Sequence, residues 1–179
     1  MHTRTLVTAI AITLVMRSST MSSEVDIEAE KAAVAEVVTA SIKWCFPDKD
    51  RVRMLASYVR EPYFMIFHPD SASTMHGFDA FAKYAETVFM NEACQPKGSK
   101  IRDLKVNLSK AGDAAWYSCI LDDWGEWDGK PWNWKNTRWT GVLEKVDGKW
   151  LIAQMHFSFP SDAKDDTEGD ENSEHDKTP

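Results

Sequence analysis

The sequence has no apolar stretch long enough to span a bilayer, which takes about 20 residues; the longest uncharged apolar run, residues 6–16, has 11. No transmembrane segment is therefore expected. Cysteine is scarce. Cys45, Cys94 and Cys119 include no C-x-x-C and no spaced pairs, so a disulfide framework is excluded and at most one bridge can form. Cys45 and Cys119 sit in apolar segments and read as buried thiols behaving as small hydrophobes. No Cys or His pair has ligand spacing, so neither a metal site nor a cofactor is expected. The chain also lacks G-x-S-x-G, a P-loop, G-x-G-x-x-G and H-E-x-x-H, which leaves serine-hydrolase, nucleotide-binding and zincin chemistry without support.

A basic excess is missing too. The 179 residues carry 28 Asp and Glu against 21 Lys and Arg. Eight of the acids and only two lysines fall in residues 161–179, leaving 20 acids and 19 bases elsewhere. A neutral body lacks the positive field a phosphate backbone demands, so nucleic acid is excluded as a partner. The tail has no large apolar residue and is expected to be a disordered acidic segment. At the other end, the run at 6–16 follows His2 and Arg4 and suits the h-region of a signal peptide, which would send the protein to the exported or periplasmic side. Arg17 and the absence of an A-x-A site allow the alternative that Met21 is the true start and the protein is cytoplasmic. Residues 1–21 are thus a signal peptide or extension, and 22–160 form one domain.

Within the body, Val34, Val37, Val38, Ser41, Ile42 and Cys45 recur at three- and four-residue steps. They predict a helix from about 25 to 45, capped by Ser22 or Ser23, favoured by Glu24, Asp26, Glu28 and Glu30 at its start, and stopped by Pro47. A short helix after Asp48 or Asp50 turns Met54, Leu55 and Tyr58 inward. Residues 63–68 read as a strand, with a turn at Pro69-Asp70 and a brief partner near Thr74-Met75. Phe78, Phe81, Ala82, Ala85, Val88 and Phe89 mark a third helix over 78–90, followed by a loop over 91–100. From Ile101 the period becomes two, predicting strands over 101–108, 114–124, 132–146 and 149–159, the last pair joined by an Asp147-Gly148 turn. Helices followed by strands indicate α+β, with helices packed on one face of a bent sheet.

The closing hairpin, from Arg138-Trp139-Thr140-Gly141-Val142-Leu143 through Asp147-Gly148-Lys149-Trp150, is followed by Met155-His156-Phe157-Ser158-Phe159-Pro160. With Gly77-Phe78-Asp79 ahead of the third helix, it resembles the nuclear transport factor 2-like superfamily. The resemblance extends over roughly residues 28–160 and points to the SnoaL-like branch that includes the association domain of calcium/calmodulin-dependent protein kinase II. It implies a cone-shaped α+β fold, three N-terminal helices closing over a strongly bent antiparallel sheet, with a pocket inside. Such a fold hosts isomerases, dehydratases, cyclases and non-enzymatic modules, so it does not define activity. The association domain's pocket holds three arginines and a histidine; those positions fall here on Leu121, Gly141, Phe157 and Phe81. Carboxylate binding is therefore unsupported; a hydrophobic or aromatic small molecule is the expected ligand, or else the pocket is filled by its own side chains.

Strand parity places Tyr117, Cys119, Leu121 and Asp123 on one face, with Trp139 and Gly141, or Met155 and Phe157, on the corresponding faces. With Tyr58, Phe81 and His156, these are the candidate pocket residues. His156, Asp123 and Tyr117 are the candidate catalytic groups. An imidazole at a strand end can act as a general base or simply anchor the strand. Asp122 and Asp123 lie in an apolar strand, where a carboxyl facing a pocket gains the raised pKa suited to moving a proton next to a carbonyl. Tyr58, Tyr63 or Tyr117 would polarise that carbonyl. The plainer alternative is an ion pair with Arg138. His68 and His76 read as surface or turn residues. Trp124, Trp127, Trp132, Trp134 and Trp139 surround a hairpin tip, as an oligomer interface, an aromatic platform for sugars or hydrophobic ligands, or cross-strand packing. The sequence thus supports a small-molecule-binding or oligomerising domain, a homodimer or larger assembly through its sheet. Its alternatives are a proton-transfer enzyme (cyclase, isomerase or dehydratase) using Asp123 or His156, and a carbohydrate-binding module using the tryptophans.

Overall fold

A computed structural model describes residues 26–45, 48–69 and 74–160. The expected leader, the Ser22/Ser23 cap, Glu24, Pro47, Asp70 and the acidic tail lie outside the described residues. Helix α1 (Ile27–Ile42) is capped by Asp26, whose carboxylate accepts from the Glu28 and Ala29 amides at 3.2 and 3.1 Å. This satisfies two of the donors that a helix start leaves unpaired. Helix α2 (Arg51–Leu55) is capped by Asp50 in the same way. Strands β1 (Met65–Phe67) and β2 (Met75–His76) precede α3 (Phe78–Tyr84), which continues as a π-helical turn over Ala85–Phe89. Four long strands follow: β3 (Cys94–Leu108), β4 (Ala114–Trp127), β5 (Lys130–Val146) and β6 (Lys149–Ser158). Among the described residues no helix is long and apolar enough to cross a membrane.

The strands form one sheet in the order β2-β1-β6-β5-β4-β3. Its long neighbours are antiparallel, but β1 runs parallel to β6, Ile66 lying opposite Met155. The expectation of a wholly antiparallel sheet is corrected at this one pairing. The chain reaches β1 from α2 rather than from a hairpin with β6, and the segment at Ser57–Val59 also bonds alongside Ile152. A second correction concerns residues 91–100, expected as loop. From Cys94 onward they pair with the end of β4, and a register shift between Pro96 and Gly98 absorbs the proline that cannot donate to the ladder.

Register shifts recur between Arg102 and Lys105, opposite Leu121–Asp123, and at Val142–Leu143. Asp103 and Asn136 take φ near +54° at two of them. Such bulges bend and over-twist a sheet, curling it around the helices. Two inner-face contacts keep the curl close. A Cβ on Gly141 would stand 2.6 Å from Tyr117 Cε1, and one on Gly125 2.7 Å from Trp132 Cζ2, so each glycine is the space its cross-strand aromatic occupies. Val34 and Val38 of α1, Phe64, Leu143 and Ile152 are fully or almost fully buried in the resulting core. Glu30 clamps α1 to the β5–β6 hairpin: its carboxylate accepts from Lys145 Nζ at 2.5 Å and Trp150 Nε1 at 2.7 Å. These donors hold the Glu30 carboxyl below its ordinary pKa.

Candidate functional site

Between the helices and the inner sheet face lies a cavity of about 220 Å³. The last turn of α1 contributes Ser41 and Ile42, the turn after it Cys45, and the α3 region Phe81, Val88 and Phe89. Opposite them stand Asp123 on β4, Trp132, Trp134 and Trp139 on β5, and Met155 and Phe157 on β6. The aromatic side chains hold each other by edge and face contacts. Trp139 stacks on Phe157 with centroids 5.5 Å apart, Trp134 meets Phe157 edge-on at 5.8 Å, and Phe81 packs edge-on to Tyr58 at 4.8 Å. Such pairs fix ring orientation beyond what area burial supplies.

The bulge in β5 decides which tryptophans enter. Leu121 lies opposite Thr137, but two residues on, Asp123 lies opposite Trp134. The extra residue shifts parity, so Thr137 and Trp139 face inward on one side of it and Trp134 and Trp132 on the other. Asp122 holds the bulge from the outer face. Its carboxylate accepts from the Asn136 amide at 2.9 Å and from Arg102 at 3.0 and 3.2 Å, while Arg102 also reaches Asn136 Oδ1 at 2.8 Å. The Arg102 and Asn136 donors hold the Asp122 carboxyl below its ordinary pKa. The expected partner, Arg138, is replaced by Arg102 on β3: both arginines lie in register with Ile120, and it is the Arg102 guanidinium that reaches the Asp122 carboxylate.

Asp123 faces the other way. Among the described residues lining the cavity it is the sole carboxyl, and no lysine or arginine lines it. Burial pushes its pKa from 3.8 up to about 7, opposed only by the Trp124 amide. Ionising it there costs free energy because the surroundings are too apolar to solvate the charge. Cys45 and Cys94 are its neighbours. Burial first, and then the Asp123 charge, pushes the Cys45 thiol up to about 11. Cys94 is raised by burial, against the pull of Lys49, whose ammonium donates to the Cys94 carbonyl at 2.9 Å. Both thiols are therefore protonated and poorly nucleophilic near neutrality.

Of the sequence-predicted residues, Tyr58, Phe81, Asp123, Trp139, Met155 and Phe157 surround the cavity. Tyr117, Cys119 and Leu121 are buried on the same sheet face, with Gly141 beside Tyr117, but they lie in the core beyond the cavity wall. His156 is removed from the site. The bulge between Ile152 and Met155 leaves Met155 and Phe157 inward and turns His156 outward, exposed, with Phe67 edge-on at 5.9 Å. The Tyr58 hydroxyl is committed to the Ser41 carbonyl at 3.3 Å, and Tyr63 donates to Glu144 on the exterior at 2.7 Å. Neither matches the expected carbonyl-polarising role.

Sequence reasoning missed His68, which lines the cavity with its ring 4.9 Å from Trp134 and 5.9 Å from Phe157. It also missed Cys45, Cys94, Trp127, Trp132 and Trp134 as lining residues. The available signal was Asn136, a residue type that tolerates positive φ in the middle of a strand. The five hairpin tryptophans do not form one platform: Trp124 lies on the outer face against Gly98, and the other four border the cavity. Among the described residues no three His, Cys, Asp or Glu side chains are grouped to hold a metal ion.

The chain matches the family described as SnoaL-like domain over residues 34–162. No curated protein matches it. Among solved structures, a nuclear transport factor 2-like protein of unknown function from Pseudomonas putida KT2440 is 19% identical, covering 76% of this chain and 91% of its own, with TM-score 0.60. A type 2 hexachlorocyclohexane dehydrochlorinase is 14% identical over 73% of this chain and 84% of its own, TM-score 0.60. A protein provisionally named a calcium/calmodulin-dependent protein kinase II association domain, from Xanthomonas campestris, is 22% identical over 75% and 83%, TM-score 0.51. At these identities the shared property is the cone-shaped fold.

Proposed function

The chain belongs to the SnoaL-like domain family, and from that premise we propose that it binds a small, uncharged, ring-shaped molecule in its aromatic cavity, against Asp123. The carrying observation is the cavity wall: mostly aromatic and aliphatic side chains, with one carboxyl, the His68 imidazole and no lysine or arginine among the described lining residues. An apolar cavity of about 150 Å³ accepts benzene, so about 220 Å³ suits one or two fused rings. An anionic ligand would lose its hydration without a lysine or arginine to pair with. Isothermal titration with indane tests this reading. Saturable one-to-one binding is expected, lost when Val88→Trp fills the space; no binding to the parent protein contradicts it.

A second reading, proton transfer, is favoured by Asp123 alone. A carboxyl with pKa about 7 exchanges protons efficiently at neutral pH, and a dehydrochlorinase shares the fold. It predicts that the protein catalyses hydrogen–deuterium exchange next to the carbonyl of 1-indanone, and that Asp123→Asn abolishes this. Self-association through the outer sheet face draws support from Trp116 and Val142, paired across β4 and β5 and both exposed. Sedimentation equilibrium tests it: a monomer at high micromolar concentration excludes it.

A further inference from the structure

Trp139 is fully buried, yet its indole N–H has no hydrogen-bond acceptor among the described residues. A buried donor left unpaired has lost its hydration without a replacement, so native proteins rarely keep one without a use. The ring is fixed by its stack on Phe157 and by Tyr117 edge-on at 5.3 Å. The hydroxyls of Tyr117 and Thr137 are likewise unpartnered, but neither residue lines the cavity, whereas Trp139 does. Two other lining hydroxyls are occupied: Ser41 donates to the Val38 carbonyl at 2.8 Å, and Tyr58 to that of Ser41.

We infer that the Trp139 indole N–H selects ligands by donating to an acceptor atom on them, so that the site prefers neutral ring compounds bearing a ketone or ether oxygen over bare hydrocarbons. This rests on the cavity binding small apolar molecules at all. It adds that the aromatic wall supplies a directional contact on β5, separate from the Asp123 carboxyl on β4.

The test uses two probes of one shape, 1-indanone and indane, on the full-length protein and its Trp139→Phe variant. Because the ketone is better hydrated before binding, the informative quantity is the ratio of the two dissociation constants. A neutral hydrogen bond is worth about 0.5–1.5 kcal/mol net, roughly two- to tenfold in affinity. The preference for 1-indanone should therefore fall by about that factor in Trp139→Phe. In the parent protein, the indole proton signal of Trp139, identified by its contacts to Phe157 and Tyr117, should move downfield with 1-indanone and stay in place with indane. That spectrum reads the contact even if the variant does not fold. Indane binding together with an unmoved indole signal under 1-indanone, or an unchanged ratio in the variant, overturns the role of Trp139 alone. Failure of both probes to bind the parent protein overturns the cavity reading and this inference with it.

Discussion

Replacing Asp123 with asparagine keeps the side chain's shape and removes its charge, isolating the free energy of a carboxylate held in this wall. A pKa raised from 3.8 to about 7 corresponds to roughly 4 kcal/mol, at ~1.36 kcal/mol per tenfold change. Asp123 is only partly shielded from solvent, which lowers the expected effect to about 2–4 kcal/mol. The sign follows from proton binding in the two states. Below pH ~4 both folded and unfolded chains hold the proton, and the group contributes nothing. Between the ordinary value and about 7 the unfolded chain has lost it and the folded chain keeps it, so stability falls as pH rises. Above about pH 8 both are ionised and the full penalty is present. Urea unfolding of the parent and Asp123→Asn from pH 4 to 9 should give curves that coincide at the acid end. They should separate through neutrality, with the variant the more stable. Glu30 and Asp122, whose carboxyls are held below their ordinary values, titrate alike in both proteins and cancel. Parallel curves across this range, or a carbon-13 carboxyl titration of Asp123 with its midpoint near 4, would refute the reasoning.

Other consequences are simpler to measure. Gly141→Ala would drive a Cβ to 2.5 Å from the Gln154 carbonyl oxygen and 2.7 Å from the Tyr117 hydroxyl. It should cost about 1–3 kcal/mol in thermal unfolding, part of it recovered by Tyr117→Leu. Asp122→Ala removes the acceptor that holds the β5 bulge and should cost about 1–2 kcal/mol. It should also shift Trp134 fluorescence, which an unrelated surface change would leave alone. The three thiols are buried, with Cys45 and Cys119 pushed up to about 11 and 12 and Cys94 raised. Ellman's reagent at pH 8 should therefore modify fewer than one per native chain and all three in urea.

Much of the architecture was legible because it depends on periodicity. The valine stripe of α1, the Phe78–Phe81–Ala85 spacing and the alternation along β4 each follow from burying one face, and the structure buries those faces. Asp123 was legible for the same reason: odd positions from Ala115 to Leu121 are buried and Asp123 continues their face. What escaped was set by bulges. A single extra residue at Asn136 brings Trp132 and Trp134 inside, and another near Ala153 sends His156 out. Neither changes composition or periodicity enough to be seen locally. The Asp122–Arg102 pair escaped because it depends on β3 register, itself displaced at Asp103. His68 entered the site because β1 lies parallel against β6, a long-range pairing that no local pattern encodes.

The most direct check is a crystal structure of the protein grown with 1-indanone. Electron density for the rings should lie between Phe81, Trp134 and Phe157, with the ketone oxygen within hydrogen-bond distance of Trp139 Nε1. A cavity closed by its own side chains, with the ketone absent or bound only on the outer face of the sheet, would contradict it.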